Sequence, residues 1–213
     1  LMAYQGAFIK DPKTQKLHRH TPLPRQLALE ILTYLAPMEA SNDLSVHLYI
    51  DDQLHVRTII DDTEAYAQRS GIRPIAAGDL AMLLNNNVAI ETTKLLTLSN
   101  NIELLSDILS HLSQRYPTED LYLTRSVEYF VEATHPLAHK GEAVRFLAED
   151  LLGLKPDQVM AIGDNYNDLE MLRYAGIGVA MGDAPEPVKQ GADWVAPGVD
   201  ADGVAAALRE FLL

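Results

Sequence analysis

Apolar and polar positions follow two different rhythms along this chain. Leu1 to Ile9 reads as a short apolar strand, a Gln5-Gly6 turn and a second strand. Lys10 to Lys16 is a polar loop with the turn signal Asp11-Pro12. Thr21, Pro22 and Pro24 suit a helix start, with Leu27, Ile31, Leu32 and Leu35 at helical spacing and Pro37 expected to end the helix. Ser45 to Ile50 and Leu54 to Ile60 form an expected hairpin around Asp51-Asp52. Short helices are expected at Thr63 to Arg69 and Asp79 to Leu84, the second stopped by Asn85-Asn86-Asn87. Val88 to Leu98 is strand-like. Ser99 or Asn100 then caps a helix carrying Ile102, Leu105, Ile108, Leu109 and Leu112. Leu121 to Leu123 and Val127 to Val131 suggest another hairpin, around Arg125-Ser126. Hairpins mixed with helices indicate an α+β unit built on an antiparallel sheet.

The final third changes rhythm. An amphipathic helix, Lys140 to Leu152, closes at Gly153. A short buried strand Val159 to Ile162, a helix Asn167 to Tyr174, a strand Ile177 to Met181, a helix Pro187 to Gln190, a strand Trp194 to Ala196 and a closing helix Asp202 to Leu213 follow. Regular alternation of strand and helix points to a parallel sheet with helices on its faces.

At 213 residues and 47% hydrophobic composition the chain holds one large or two modest domains with a real, mainly aliphatic core. It has no cysteine, which excludes disulfides, thiolate metal sites and cysteine nucleophiles and fits a reducing, cytoplasmic location. No apolar run approaches the roughly 20 residues a membrane span needs, so no membrane partner is expected. A net charge of −13 disfavours nucleic acid as a partner. It leaves a small anionic ester open, because a bound cation and one lysine invert the local field.

The chemistry concentrates in Ile162-Gly163-Asp164-Asn165-Tyr166-Asn167-Asp168-Leu169-Glu170-Met171-Leu172. A buried strand ends in Gly-Asp, and a short loop leads to Asn-Asp at a helix start. Ligands of open parallel sheets bind at that strand edge, and carboxylate oxygens suit magnesium. Asn167 and Asp168 also suit plain helix caps, but capping leaves Asp164 unexplained. An EF-hand fails, since Leu169 stands where glycine is required. Lys140 sits at a helix N-terminus, against the macrodipole, a conflict that a bound anion would remove.

His139-Lys140-Gly141-Glu142-Ala143-Val144, Val159 to Met171, Ala175 to Ala184, Ala192-Asp193-Trp194 and Asp202-Gly203-Val204 resemble, in order and spacing, the C-terminal half of Cof-like phosphatases of the haloacid dehalogenase superfamily. Tyr4-Gln5-Gly6-Ala7 resembles the segment that follows the family's second motif. The resemblance implies an α/β fold: a Rossmann-like parallel-sheet core, incomplete at its N-terminus, with an inserted α+β cap. Residues 1–20 and 132–213 would belong to the core and 21–131 to the cap. It implies that Lys140 binds the phosphoryl group and steadies an aspartyl-phosphate. Asp164 would be a magnesium ligand, Asn167 a phosphate contact, and Asp168 a second acid in or just outside the metal shell. Sugar phosphates and phosphorylated cofactors are the implied substrates. Arg57, Arg73, Tyr122 and Arg125 are candidate cap contacts.

The family's nucleophile motif, two aspartates followed by Gly-Thr, and its Ser or Thr motif would precede Tyr4. Neither is among these residues, and a strand–helix–strand unit of roughly 30 or more residues is missing. Asp200-Ala201-Asp202-Gly203-Val204 only looks like the first motif, because Pro197-Gly198 interrupts any strand before it. Leu95 to Ser99 likewise resembles a strand ending in the second motif's serine. Gln5 and Asp183 stand where the family often has asparagine. The expected function is magnesium-dependent hydrolysis of small phosphomonoesters. A noncatalytic phosphate- or metal-binding module and a phosphomutase are the alternatives. This chain alone is expected to be inactive and, with an unpaired sheet edge, to aggregate or form a homo-oligomer.

Overall fold

The computed structural model describes residues 1–41, 43–125 and 127–213. Strands and helices intermix in the α/β manner the pattern predicted. The chain forms two compact units, one of Leu1 and Ala7–Leu137, the other of Met2–Gly6 and Ala138–Leu213.

In the first unit six strands make one sheet, in the order Pro74–Ala76, Gln53–Val56, Ser45–Ile50, Thr92–Leu98, Phe130–Thr134, Tyr122–Thr124. All neighbours are antiparallel except the first two, which run parallel. Ser45–Ile50 and Thr92–Leu98 are buried along their whole length. Period-two alternation sends Val46, Leu48, Ile50, Leu95, Val131 and Ala133 into the main core with Ile31, Leu35, Leu105 and Ile108, from the helices Arg25–Ala40 and Ile102–Arg115. The opposite face carries Leu96, Leu98 and Phe130, packed against Tyr66 and Tyr129. The tight hairpin at Asp51-Asp52 forms as expected, both residues in the left-handed region at φ 50 and φ 62 that such a turn requires. Strands flank the expected Arg125-Ser126 turn, of which Ser126 lies outside the described residues.

Tertiary contacts move several boundaries. Pro37 does not end its helix, which runs on to Ala40. The buried Glu39 carboxylate accepts from Arg57 at 2.7 Å and from the Val46 N–H at 3.2 Å, anchoring the turn beyond the proline. The cap of Ile102–Arg115 is neither Ser99 nor Asn100 but Asn101, whose side chain accepts from the Leu104 N–H. Ser99 is held elsewhere: its hydroxyl donates to the Asp43 carbonyl at 2.6 Å and accepts from the Asn101 N–H at 3.0 Å. The strand expected from Val88 starts at Thr92, and the one expected to reach Ile60 ends at Val56. Pairing ends there because the Pro74–Ala76 neighbour also runs out, at the Val56–Ala76 pair. Leu17–His20, not anticipated, pairs antiparallel with Phe8–Lys10.

The second unit holds a parallel sheet in the order Met160–Gly163, Ile177–Ala180, Trp194–Val195. Helices Leu169–Tyr174, Glu186–Gln190 and Gly203–Phe211 alternate with these strands as predicted. Leu172, Ala175 and Val188 pack on Ala161 and Ala180, while Ala207 and Phe211 pack on Val179, Met181 and Trp194. The helix expected over Lys140 to Leu152 is α-helical to Arg145 and then a π turn over Phe146–Leu151. Gly153, at φ 67, terminates it.

His47 makes the first unit sensitive to acid. It is 0% exposed, lies edge-on to the Tyr66 ring at 4.9 Å, and its Nδ1 has no partner among the described residues. The ionised pair Lys94–Glu132, 2.8 Å apart, lies on the same sheet face, and Thr63 is the near polar group at 3.5 Å. Burial, and then the Lys94 charge, lowers the His47 pKa from 6.5 to about 4. The unfolded chain therefore binds a proton that the native state refuses. Stability is complete above the unfolded value and falls as the pH drops toward the folded one, by at most about 1.4 kcal/mol per pH unit. Calorimetric melting between pH 6.5 and 4 should show that decline, and His47→Gln should flatten it. An equal slope in the variant would assign the decline to other groups.

Candidate functional site

The site is built in the second unit, where a strand end, a loop and a helix start converge. Lys140 is the first residue of its helix, and the extended His139 before it caps that helix, its Nδ1 accepting from the Glu142 N–H at 3.3 Å. The Lys140 side chain reaches Asp168, its Nζ 2.5 Å from Oδ1. The lysine side chain is 36% exposed and the aspartate 2%. The other carboxylate oxygen accepts from the N–H groups of Asp164 at 2.9 Å and Asn165 at 3.0 Å. Burying a carboxylate is costly unless charged and neutral donors surround it, and three do here.

The loop is a reciprocal cap. Asn165 receives the Tyr166 N–H at 2.7 Å and opens the 3₁₀ turn Tyr166–Asp168, and Asp168 returns a bond to the Asn165 N–H. The plain capping reading of Asp168 is not realised: it stands at the N-cap position of Leu169–Tyr174 but makes no side-chain cap bond to that helix, and its carboxylate holds the lysine and the preceding loop instead. Gly163 permits the arrangement: a Cβ there would overlap the Asp168 side chain, 2.8 Å from its Cγ. Asp164 follows as an exposed residue whose backbone is fixed by Asp168.

Asn167 lines a pocket together with the lysine. Its Nδ2 donates to Gln5 Oε1 at 3.0 Å, and its buried Oδ1 has no partner among the described residues. Gln5, Gly6, Lys140, Ala143, Asn167 and Met171 share the lining of a pocket of ≈ 260 Å³. Tyr4, Gln5 and Gly6 take φ values of 52, 58 and 100. Gly6 is required twice over, since a Cβ would stand 2.5 Å from that of Ala143 and 2.9 Å from the His139 carbonyl oxygen.

The structure therefore brings Lys140, Asp168 and the Asp164 backbone together, and places Asn167 with Lys140 on one pocket. Among the described residues no group of three or more His, Asp or Glu side chains is placed to hold a metal. Asp168 gives one oxygen to the lysine and the other to the loop amides, while Asp164 is the exposed acid of this loop. Magnesium commonly uses one or two protein carboxylates and fills its other positions with water and phosphate, so the donor set suits it. The residues expected to contact substrate from the first unit are otherwise engaged or exposed. Arg57 pairs with Glu39, Arg125 donates to the Glu128 carbonyl and to Ser106, Tyr122 is half-buried in a strand, and Arg73 is exposed. Asp200 lies in a 3₁₀ turn, not at a strand end, as expected of a lookalike. The resemblance marked Gln5 as a departure from the family pattern but gave no sign of its bond to Asn167. Its spacing of 162 residues from Asn167 leaves no local signal.

The family model of haloacid dehalogenase-like hydrolase matches residues 1–208. A Haemophilus influenzae protein provisionally named a phosphatase is 33% identical over 213 residues, covering 99% of this chain and 75% of that protein. A phosphoglycolate phosphatase of Methanothermobacter thermautotrophicus is 30% identical, covering 78% of this chain and 68% of its own. Among solved structures, a Thermotoga maritima protein superposes with a TM-score of 0.79 at 28% identity, covering 99% of this chain and 75% of that one. A haloacid dehalogenase-like hydrolase from Bacillus subtilis gives 0.78 at 28% identity, with 98% and 78% coverage.

Proposed function

The chain belongs to the haloacid dehalogenase-like hydrolases, and on that premise we propose that it serves the magnesium-dependent hydrolysis of small phosphomonoesters through an aspartyl-phosphate intermediate. One observation carries the reading. An ammonium group and a buried carboxylate hydrogen-bonded through both oxygens meet 2.5 Å apart beside the Gly163-Asp164 end of a parallel strand. Phosphoryl transfer depends on positioning and on neutralising charge over the equatorial oxygens. Lys140 has three N–H donors. One faces Asp168, and the others are available to phosphoryl oxygens. Asp168 holds the ammonium in place and, through the Asp164 and Asn165 N–H groups, the loop. Asn167 contributes a further polar contact to the anion. When bound, a magnesium ion held by Asp164 supplies additional neutralisation of the phosphate oxygens.

Sugar phosphates and phosphorylated cofactors fit this machinery equally, because only the phosphoryl group meets the residues named. Residues 21–131, read as a cap, would choose among them. The relative named a phosphoglycolate phosphatase supports a small anionic ester as the substrate class. The described residues contain no helix long and apolar enough to cross a membrane, and the absence of cysteine supports a cytoplasmic site of action.

The nucleophile-bearing Asp-x-Asp-Gly-Thr pattern is not among these 213 residues. The natural full-length protein should release p-nitrophenol from p-nitrophenyl phosphate with magnesium and lose that activity with EDTA, whereas a polypeptide confined to these residues should release none. Metal-independent release by the full-length protein would overturn the magnesium-dependent reading. Full phosphate binding without any turnover would turn it into a binding module.

A further inference from the structure

One face of the six-stranded sheet packs on the main core. The other is covered in part by the helix Asp61–Ser70, whose Tyr66 packs against Leu96, Leu98 and Phe130. Beside that helix the sheet bears a cavity of ≈ 460 Å³. Leu96 and Phe130, both buried, give it an apolar lining. The rings of Tyr66, Phe130 and Tyr129 stand edge to face along it, at centroid distances of 5.4 and 4.6 Å. Lys94 and Glu132, buried and 2.8 Å apart, line it as well. An apolar cavity with a few fixed polar groups is the usual build of a small-molecule site.

The charges of this cavity do not cancel. Lys94 is answered by Glu132. Arg69, which also lines it, is in no ion pair among the described residues, although it is held in place. Its Nη1 donates to the Tyr129 hydroxyl at 2.8 Å, and its guanidinium carbon lies 6.0, 5.5 and 5.8 Å from the ring centroids of Tyr66, Tyr129 and Phe130. Asp62 shares a smaller neighbouring cavity with Arg69, but both its carboxylate oxygens accept from the Asn100 amide, at 3.2 and 3.1 Å. A guanidinium has five N–H donors in a planar fork that matches an oxyanion, and the Tyr129 bond uses one. The contrast lies in the cavity of ≈ 540 Å³ between the helices Arg25–Ala40 and Ile102–Arg115, where Glu30 already takes Arg115, Tyr116 and Gln26. In a chain of net charge −13, the Arg69 cavity is a cationic, aromatic-walled exception. We propose that it binds a small organic carboxylate with an apolar or aromatic body, the carboxylate on the Arg69 fork and the body against Leu96 and Phe130. The proposal concerns the first unit alone and stands or falls separately from the phosphatase reading.

The probe is 3-phenylpropionate, titrated into the ¹⁵N-labelled natural full-length protein and followed by NMR chemical shifts. Saturable binding with a Kd on the order of 1 mM is expected for a ligand of this size. The uncharged 3-phenylpropionamide, of the same shape, should bind at least about fivefold more weakly to the same wild-type protein, because it offers Arg69 no charge. Arg69→Gln should weaken the carboxylate by a similar factor. Val127→Trp, at an exposed position of the rim, should weaken it by about tenfold or more by filling the cavity. Both positions are exposed, so melting temperatures should stay at the wild-type value. Inorganic phosphate with magnesium should leave the probe bound. No saturable shift up to about 20 mM would overturn the proposal, since affinity that weak is non-specific. Equal affinity for carboxylate and amide would overturn it too, as would undiminished binding in both variants. Displacement of the probe by inorganic phosphate would place it in the phosphoryl site, which defeats the separate cavity and leaves the phosphatase reading intact.

Discussion

Lys140→Met in the natural full-length protein should reduce kcat for p-nitrophenyl phosphate by about 10²–10³-fold, the range found when one preorganised donor to a developing negative charge is removed. Methionine matches the apolar stem of lysine and lacks only its terminal ammonium, so the helix it opens and the Gly6 turn packed on that helix should stay in place. What disappears is the ammonium, placed 2.5 Å from Asp168. Its field acts in a site only partly open to water, where a single charge counts for more than on the surface. Arginine would not replace it, because a planar fork cannot sit between Asp168 and a phosphoryl group in the space a compact ammonium takes. The loss should therefore persist in Lys140→Arg. Steady-state kinetics with magnesium at saturating substrate decides the matter, and a kcat within threefold of wild type would remove Lys140 from the reaction.

Asp168→Ala should destabilise the second unit by about 3 kcal/mol, through the two N–H groups it strands. Asp168 is 2% exposed, and it alone receives the Asp164 and Asn165 amides through one oxygen. Without it those amides face a small cavity, each at a cost of about 1–3 kcal/mol. Lys140 loses its partner too, but at 36% exposure it recovers much of its hydration. The melting temperature should drop by about 6–12 °C by the usual scaling for a chain of this size. Activity should vanish as well, since the loop carrying Asp164 loses its anchor. Asp168→Asn, which can still accept from the amides, should recover most of the stability and little of the activity. A melting temperature for Asp168→Ala equal to wild type would mean that the loop holds its shape by other means.

How far the molecule could be read in advance depends on where the stabilising contacts lie. The second unit was legible because its strands are short apolar runs and stops such as Gly153, at φ 67, and Gly191 punctuate its helices. The pattern failed where a distant partner overrules it. Pro37 is a helix terminator on local grounds, yet Glu39 is held by Arg57 and Val46 and carries the helix past it. Leu17–His20 has no alternation to betray a strand and forms through pairing with Phe8–Lys10. Pro74–Ala76 begins with a proline and exists as an edge strand beside Gln53–Val56. The π turn at Phe146–Leu151 has the composition of ordinary helix. In the site, the resemblance to the phosphatase family, laid over the residue pattern, marked Lys140, Asp164, Asn167 and Asp168. Which oxygen meets which hydrogen was not readable, because Lys140 and Asp168 are 28 residues apart and Gln5 and Asn167 are 162 apart.

Titration of inorganic phosphate with and without magnesium, followed by calorimetry on the natural full-length protein and on Asp164→Asn, addresses the joint anion-and-cation pocket without any chemical step. Saturable binding to wild type that tightens at least tenfold with magnesium, and a magnesium effect that disappears in Asp164→Asn, is the predicted outcome. Phosphate binding indifferent to magnesium, or equally magnesium-dependent in the variant, would contradict a site in which the Gly163-Asp164 loop holds the metal beside the Lys140 ammonium.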